Sequence, residues 1–359
     1  MSLDLQTELL RCEKQVTEYL LDPRFRGWFE PEHLRRAVYS YPTRAGKCLR
    51  PAVLLFACGA VGGDESKALP AAAGIELFHT WTLVHDDLID HDARRRGGPT
   101  VHEQGRQMGQ EELELTPEQA GHYGDDLAVL TGDVQHAWSV CLFAELAERG
   151  VPPEVVLALI TRLESQVINA VIGGELLDIR LSCTPIEQLT EDAIVRMLRM
   201  KTGALYEFAA AAGAMIGLAT PDVRHPWVEA VGRFAGLCGT AFQLQDDLLG
   251  LVGDERRLGK PIGSDIREGK RTTIVCHAFR LADPAQQAIL NRVLGNRRAT
   301  ETQTAEVVGL LRSLGGIEHT RALAGRYVEQ AIPCLDPLPP SASKDLLLAW
   351  AKFMVDRTF

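Results

Sequence analysis

Apolar positions recur along most of the chain at intervals of three and four residues, the spacing that lines one face of an α-helix. In residues 152–180, Val155, Leu159, Leu163 and Val167 fall four apart and predict a helix with one buried face. Thr-Pro pairs at Thr116-Pro117, Thr184-Pro185 and Thr220-Pro221 read as helix starts, as does Asp283-Pro284, and Glu187 completes a capping box with Thr184. No stretch combines strict alternation with β-branched enrichment and hairpin turns, and there is no βαβ rhythm. The pattern predicts an all-α protein. No segment has linker composition, so residues 1–359 are expected to form a single domain. Three stretches are expected to be irregular: 97–124, with an exposed acidic run at Glu111-Glu112-Leu113-Glu114; 253–273, rich in Gly, Lys and Arg; and 332–342, broken by prolines.

Composition narrows the class. With 46% hydrophobic and 24% charged residues, the 359-residue chain is neither disordered nor collagen-like. A net charge of −10 argues against a generic nucleic-acid or anionic-membrane surface. An acidic chain that handles phosphates would need metal ions to invert its local field. The eight cysteines include no C-x-x-C pair and read as reduced, mostly buried small hydrophobes. The N-terminus has no signal-peptide pattern, and apolar runs such as Ala52–Gly63 stop short of the roughly 20 residues a span needs. A cytoplasmic protein without stable membrane insertion is expected.

The sharpest local feature is His85-Asp86-Asp87-Leu88-Ile89-Asp90, at the end of an apolar helical run from Ala71. Asp86 and Asp90 lie one turn apart on one face, with Asp87 rotated away. Two stacked carboxylates call for a hard dication, Mg²⁺ by preference, which keeps phosphate oxygens or water as its other ligands. A second pair, Asp246-Asp247, follows the apolar run 227–242. Each pair is followed by a basic tail: Arg94-Arg95-Arg96-Gly97 after the first, Gly259-Lys260-Pro261 and Gly269-Lys270-Arg271 after the second. A solvated helix end explains either cluster alone, but acid followed by base, twice, suits a Mg²⁺–diphosphate site. Upstream, Gly46-Lys47-Cys48-Leu49-Arg50-Pro51 is not a nucleotide P-loop, because Tyr41 and Cys48 stand where Gly and Ser or Thr are needed.

On the blocks GKCLRP, IELFHTWTLVHDDLIDHDARRRGGPTVH, KTGALYEF and FQLQDDLLGLVGD…GKPIGSDIREGKRTT, the sequence resembles the trans-isoprenyl diphosphate synthases. The resemblance implies the isoprenoid synthase fold, a single all-α domain around a deep central cavity, normally a homodimer. It implies condensation of isopentenyl diphosphate with an allylic diphosphate. Asp86, Asp90 and Asp246 would bind Mg²⁺ and, with Lys201, form the catalytic set. Arg95, Lys201, Thr202, Gln243 and Lys260 would contact the allylic diphosphate; Lys47, Arg50, His79 and Arg96 would hold isopentenyl diphosphate; Lys270 matches a further basic position. His79 stands two turns before Asp86 and shares its face. Trp81 and Thr82, one large and one small, occupy the positions that commonly limit chain growth, which implies products of fifteen to twenty carbons, twenty favoured. Two departures bear on metal affinity: Gly250 replaces the third aspartate of the second motif, and Glu175 stands where glutamine is common. The competing readings are a class I terpene cyclase, which would not need the Lys47–Arg50–His79–Arg96 set; a metal phosphohydrolase, which leaves the second motif without a purpose; and a non-catalytic partner subunit, which predicts decay of the first motif.

Overall fold

Helix-favouring periodicity is realised nearly throughout the computed structural model, which describes residues 4–44, 46–252 and 264–356. These residues cluster into two compact units.

The first unit comprises the chain up to Ile160 with Ala209–Val223 and Ser341–Leu346. It contains α1 (Leu5–Leu20), α2 (Glu32–Val38), α3 (Leu49–Ala60), α4 (Glu65–Asp90), a two-residue hairpin of β1 (Arg94–Arg95) and β2 (Gly98–Pro99), α5 (Val101–Glu112), α6 (Pro117–Ala144) and the start of α7 (Pro153–Arg162). The α3 helix is apolar almost all round and correspondingly buried. Beside it, α4 packs along α6. Asp64 caps the start of α4 by accepting from the Ser66 amide, and His91, at φ 58, ends it in the left-handed region. Thr116 and Gln119 form the capping box that opens α6, at the Thr-Pro start read from sequence. Stretch 97–124 is not irregular as expected: it holds α5 and the first turns of α6, and its acidic corner is exposed. The polar surface of α5 hid its period, since Val101, Gly105, Met108 and Gly109 bury a face half made of glycine.

The second unit comprises Thr161–Phe208, Arg224–Pro340 and the chain from Leu347. Its further helices are α8 (Ile168–Ser182), α9 (Glu191–Leu198), α11 (Pro226–Val252), α12 (Ser264–Glu268), α13 (Thr273–Leu281), α14 (Pro284–Val293), α15 (Glu301–Ser313) and α16 (Gly316–Ala331). The helices α10 (Ala204–Gly217) and α17 (Ala342–Asp356) contribute residues to both units. The long α11 packs along α16. Asp283 and Gln286 form a capping box at the expected start of α14. Two other expected starts fail. The Thr184 hydroxyl donates back to the Arg180 carbonyl, so it closes the preceding helix and caps nothing ahead of it. The helix expected at Thr220-Pro221 begins only at Pro226.

Val155, Leu159, Leu163 and Val167 are all buried, as their spacing predicts. The helix carrying them contains a π-helical turn at Leu163–Val167, and a second such turn at Arg199–Gly203 joins α9 to α10. The helical stretches Pro117–Arg149 and Pro153–Ser182 are long and apolar enough to cross a membrane by length and composition alone, with window mean hydropathies of 1.2 and 1.6. This corrects the expectation of short apolar runs: alanine between the aliphatic residues keeps the average high without a continuous run. A buried helix of a helical protein meets the same criterion. Of the cysteines, Cys12, Cys48, Cys58, Cys238 and Cys276 are buried, whereas Cys141 and Cys183 are exposed.

Candidate active site

In the first unit, the last two turns of α4 divide the three aspartates between two jobs. Asp86 and Asp90 are half-buried on one face, whereas Asp87 is fully buried. Asp87 accepts the Tyr41 hydroxyl proton and is gripped by Arg95, whose Nε lies 2.6 and 2.8 Å from its two oxygens. Burial raises the Asp87 carboxyl above its ordinary range, against the guanidinium and the phenol, and the same burial beside a carboxylate pushes the Tyr41 hydroxyl far up. The β1–β2 hairpin supplies this geometry. Its two-residue turn, Arg96-Gly97, has φ of 47° and 74°, so consecutive arginines leave in different directions. Arg95 goes to Asp87, and Arg96 goes to Glu76, 3.2 Å away, and to the Tyr41 and Arg44 carbonyls. Arg95 and Arg96, two of the three arginines expected to bind diphosphate, are therefore held by carboxylates of α4.

The guanidinium charges of Arg50, Arg96 and Arg95 also act on His79. Burial first, then these guanidiniums, holds its imidazole well below its usual range. A base with a depressed folded-state pKa is neutral where the unfolded chain takes up a proton, so stability is intact above about pH 6.5 and falls below it, by up to about 1.4 kcal/mol per pH unit. His79→Gln, which keeps an N–H donor but does not titrate, should flatten this acid limb. Denaturant midpoints for both proteins at pH 7.5 and 5.5 check it, and equal losses would show that His79 does not bear the effect. Lys47 is exposed beside Cys48, which has φ 43. Trp81 is buried against Phe78 of α4 and His136 of α6, each ring centroid 4.9 Å away. The Thr82 hydroxyl donates to the His79 carbonyl.

In the second unit, the π-turn Arg199–Gly203 presents Lys201 and Thr202 on successive positions. Lys201 Nζ lies 2.5 Å from Glu175 and 2.8 Å from Asp178 on α8. This approach needs Gly174: a Cβ there would stand 2.3 Å from the Lys201 amide nitrogen. The buried Thr202 hydroxyl donates to Gln243 Oε1, and Gln243 Nε2 donates to Asp247 Oδ1. Asp247 titrates well above the ordinary carboxylate range, first because it is buried, then because Asp265, Asp246 and Asp178 are close. Asp246 sits half-buried one residue before it. Lys270 Nζ is 3.2 Å from Glu268 and 3.8 Å from Asp265. Lys260 and residues 253–263 of the stretch expected to be irregular lie outside the described residues.

Among the described residues, no three His, Cys, Asp or Glu side chains form a cluster arranged to hold a metal. That suits Mg²⁺, which is commonly held by one or two carboxylates with water and substrate phosphate completing the octahedron. The all-oxygen pair Asp86 and Asp90, kept on one face because Asp87 is tied behind it, fits that ion. Sequence reasoning missed Tyr41, Glu76, Asp178 and Asp265; none belongs to an aspartate pair, and what each touches is set by the fold.

The chain matches the family model described as polyprenyl synthetase over residues 31–311. It is 33% identical over 329 residues to a geranylgeranyl diphosphate synthase of Methanosarcina mazei, covering 92% of this chain and 91% of that one. Its fold is similar to that of a geranylgeranyl pyrophosphate synthetase from Pyrococcus horikoshii, with TM-score 0.82, 31% identity and coverage of 98% and 99%. It is also similar to a geranylgeranyl pyrophosphate synthase from Corynebacterium glutamicum complexed with isoprenyl diphosphate and magnesium, with TM-score 0.84, 27% identity and coverage of 99% and 100%.

Proposed function

From the premise that the chain belongs to the polyprenyl synthetase family and is a trans-prenyltransferase, we propose that it condenses isopentenyl diphosphate with an allylic diphosphate to a C20 product. The observation that carries the reading is the division of labour on α4, where Asp86 and Asp90 share a face while Asp87 is locked away by Tyr41 and Arg95. Asp86, Asp90 and Asp246 are the Mg²⁺ ligands. Bound Mg²⁺ supplies charge neutralisation at the departing diphosphate. Lys201, Thr202, Gln243, Arg95, Lys260 and Lys270 hold and neutralise the allylic diphosphate as its C–O bond ionises to an allylic cation. Lys47, Arg50, His79 and Arg96 fix isopentenyl diphosphate so that its double bond faces that cation. The new C–C bond forms from the isopentenyl π electrons, and the proton lost next goes to the released diphosphate. His79 takes part as a neutral hydrogen-bonding group, in keeping with its low pKa.

Residues 1–359 act as one domain in this reading, supported by a family match that runs through segments of both units. The proposed protein is a cytoplasmic homodimer. Support comes from α8, which leaves Ile172, Leu176 and Ile179 51, 57 and 40% exposed at helical spacing.

Incubation with labelled isopentenyl diphosphate and each allylic primer, with Mg²⁺ and with EDTA, tests the proposal. Chromatography of dephosphorylated products should show C20 with Mg²⁺ and nothing with EDTA, and sedimentation of the same preparation should give twice 39.4 kDa. Trp81→Ala should lengthen the products, at a stability cost of about 3–5 kcal/mol for the lost indole packing. An inert preparation would return the partner-subunit reading. An unchanged product in a folded, active Trp81→Ala protein would remove Trp81 as the floor.

A further inference from the structure

The second aspartate motif lacks a carboxylate in the position that gives the first its pair. Asp90 follows Asp86 by one turn; on α11 the residue one turn after Asp246 is Gly250. The space beside Gly250 is filled. A Cβ at position 250 would lie 2.6 Å from Oδ2 of Asp265, so that carboxylate stands where a side chain would leave the helix. The placement is built in. Ile266, 1% exposed, plugs α12 into a core with Leu248 and Leu251 of α11. The Lys270 and Gly269 amides donate to the Asp265 and Ile266 carbonyls, closing α12 just behind the carboxylate. Asp265 keeps 21% of its side-chain surface exposed, and Lys270 Nζ stays 3.8 Å from its Oδ1.

We propose that Asp265 supplies the carboxylate that position 250 lacks, and that with Asp246 it holds the divalent cation of the second motif. This rests on the reading of Asp246 as a Mg²⁺ ligand. The glycine is then a requirement of the site and not a loss from it, because any side chain at 250 meets the Asp265 carboxylate. Gly250→Asp should therefore weaken metal binding, since the new carboxylate would be forced against the resident one.

Mn²⁺ serves as the probe, titrated in the presence of inorganic diphosphate and followed by the electron paramagnetic resonance of the unbound ion, with no turnover involved. Asp265→Asn should weaken Mn²⁺ binding at the weaker-filling sites about tenfold, and Gly250→Asp alone should weaken it several-fold. The double variant, Asp265→Asn with Gly250→Asp, should return to within about threefold of the parent, because the carboxylate has been moved across and not removed. A carboxylate needed only to hold Lys270 would not be replaced from position 250, so failure of the double variant to recover overturns the proposal. So does Mn²⁺ binding unchanged in Asp265→Asn while Asp246→Asn weakens it. If Asp246→Asn also leaves binding unchanged, the second motif itself is not a metal site, and the parent reading falls with the inference.

Discussion

Asp86→Asn and Asp90→Asn should each lower turnover by at least about a hundredfold while leaving the unfolding midpoint within about 0.5 kcal/mol of the parent. Asparagine keeps the volume and one oxygen but removes the charge that holds Mg²⁺, and a hundredfold corresponds to about 2.7 kcal/mol of transition-state stabilisation. Stability is spared because both side chains sit half in water and not in the core. Higher Mg²⁺ concentration should recover part of the lost rate, as expected when the defect is ligand loss. Steady-state rates at several Mg²⁺ concentrations, beside denaturant curves, make the check. Turnover within tenfold of the parent for both variants would sink the assignment of this face to metal.

The neighbouring substitution should fail in the opposite way. Asp87→Asn should cost about 3–5 kcal/mol of stability, the range seen when one partner of a buried ion pair is removed. Asp87 is fully buried, and its two oxygens satisfy the Tyr41 hydroxyl and three contacts from Arg95. An amide cannot accept at both ends, so the Arg95 guanidinium is left partly desolvated, with Asp92 3.5 Å away as a more distant carboxylate. Urea unfolding followed by circular dichroism reads the loss directly. A midpoint within 1 kcal/mol of the parent would mean that Arg95 is released to solvent or substrate without penalty. Adjacent aspartates in one motif thus separate a folded, slow enzyme from a destabilised one.

The all-α class and the rotation of Asp87 away from the Asp86–Asp90 face were legible because both are helical-period statements, and period is local. The same locality explains the misses. Thr184 satisfied every sequence criterion for an N-cap, yet its hydroxyl bonds backward to Arg180, because the short turn at Ile186–Gln188 leaves no long helix ahead to cap. Tyr41 carried no signal beyond being the wrong residue for a P-loop, since its partner stands 46 positions away. Asp265 was invisible for a related reason: its relation to Gly250 is a matter of space left empty on another helix. Glu175 was noticed as a departure, but its grip on Lys201 depends on a π-turn that composition does not announce.

That turn makes the passage from α9 to α10 a matter of phase. A regular helix advances 100° per residue, and one residue accommodated in a wider turn sets everything beyond it back by about that angle. Upstream, Ile194, Met197 and Leu198 are buried; downstream, so are Leu205, Tyr206 and Phe208. Lys201 lies at the slip between the two registers. A substitution at Met200 or Gly203 changes what is presented there. Removing a single residue acts as a rotation, turning the ammonium away from Glu175 and Asp178 while leaving both flanking helices intact as helices. In this stretch, residue count is an angular coordinate, and the chain's tolerance of change should be graded by degrees and not by similarity of side chains.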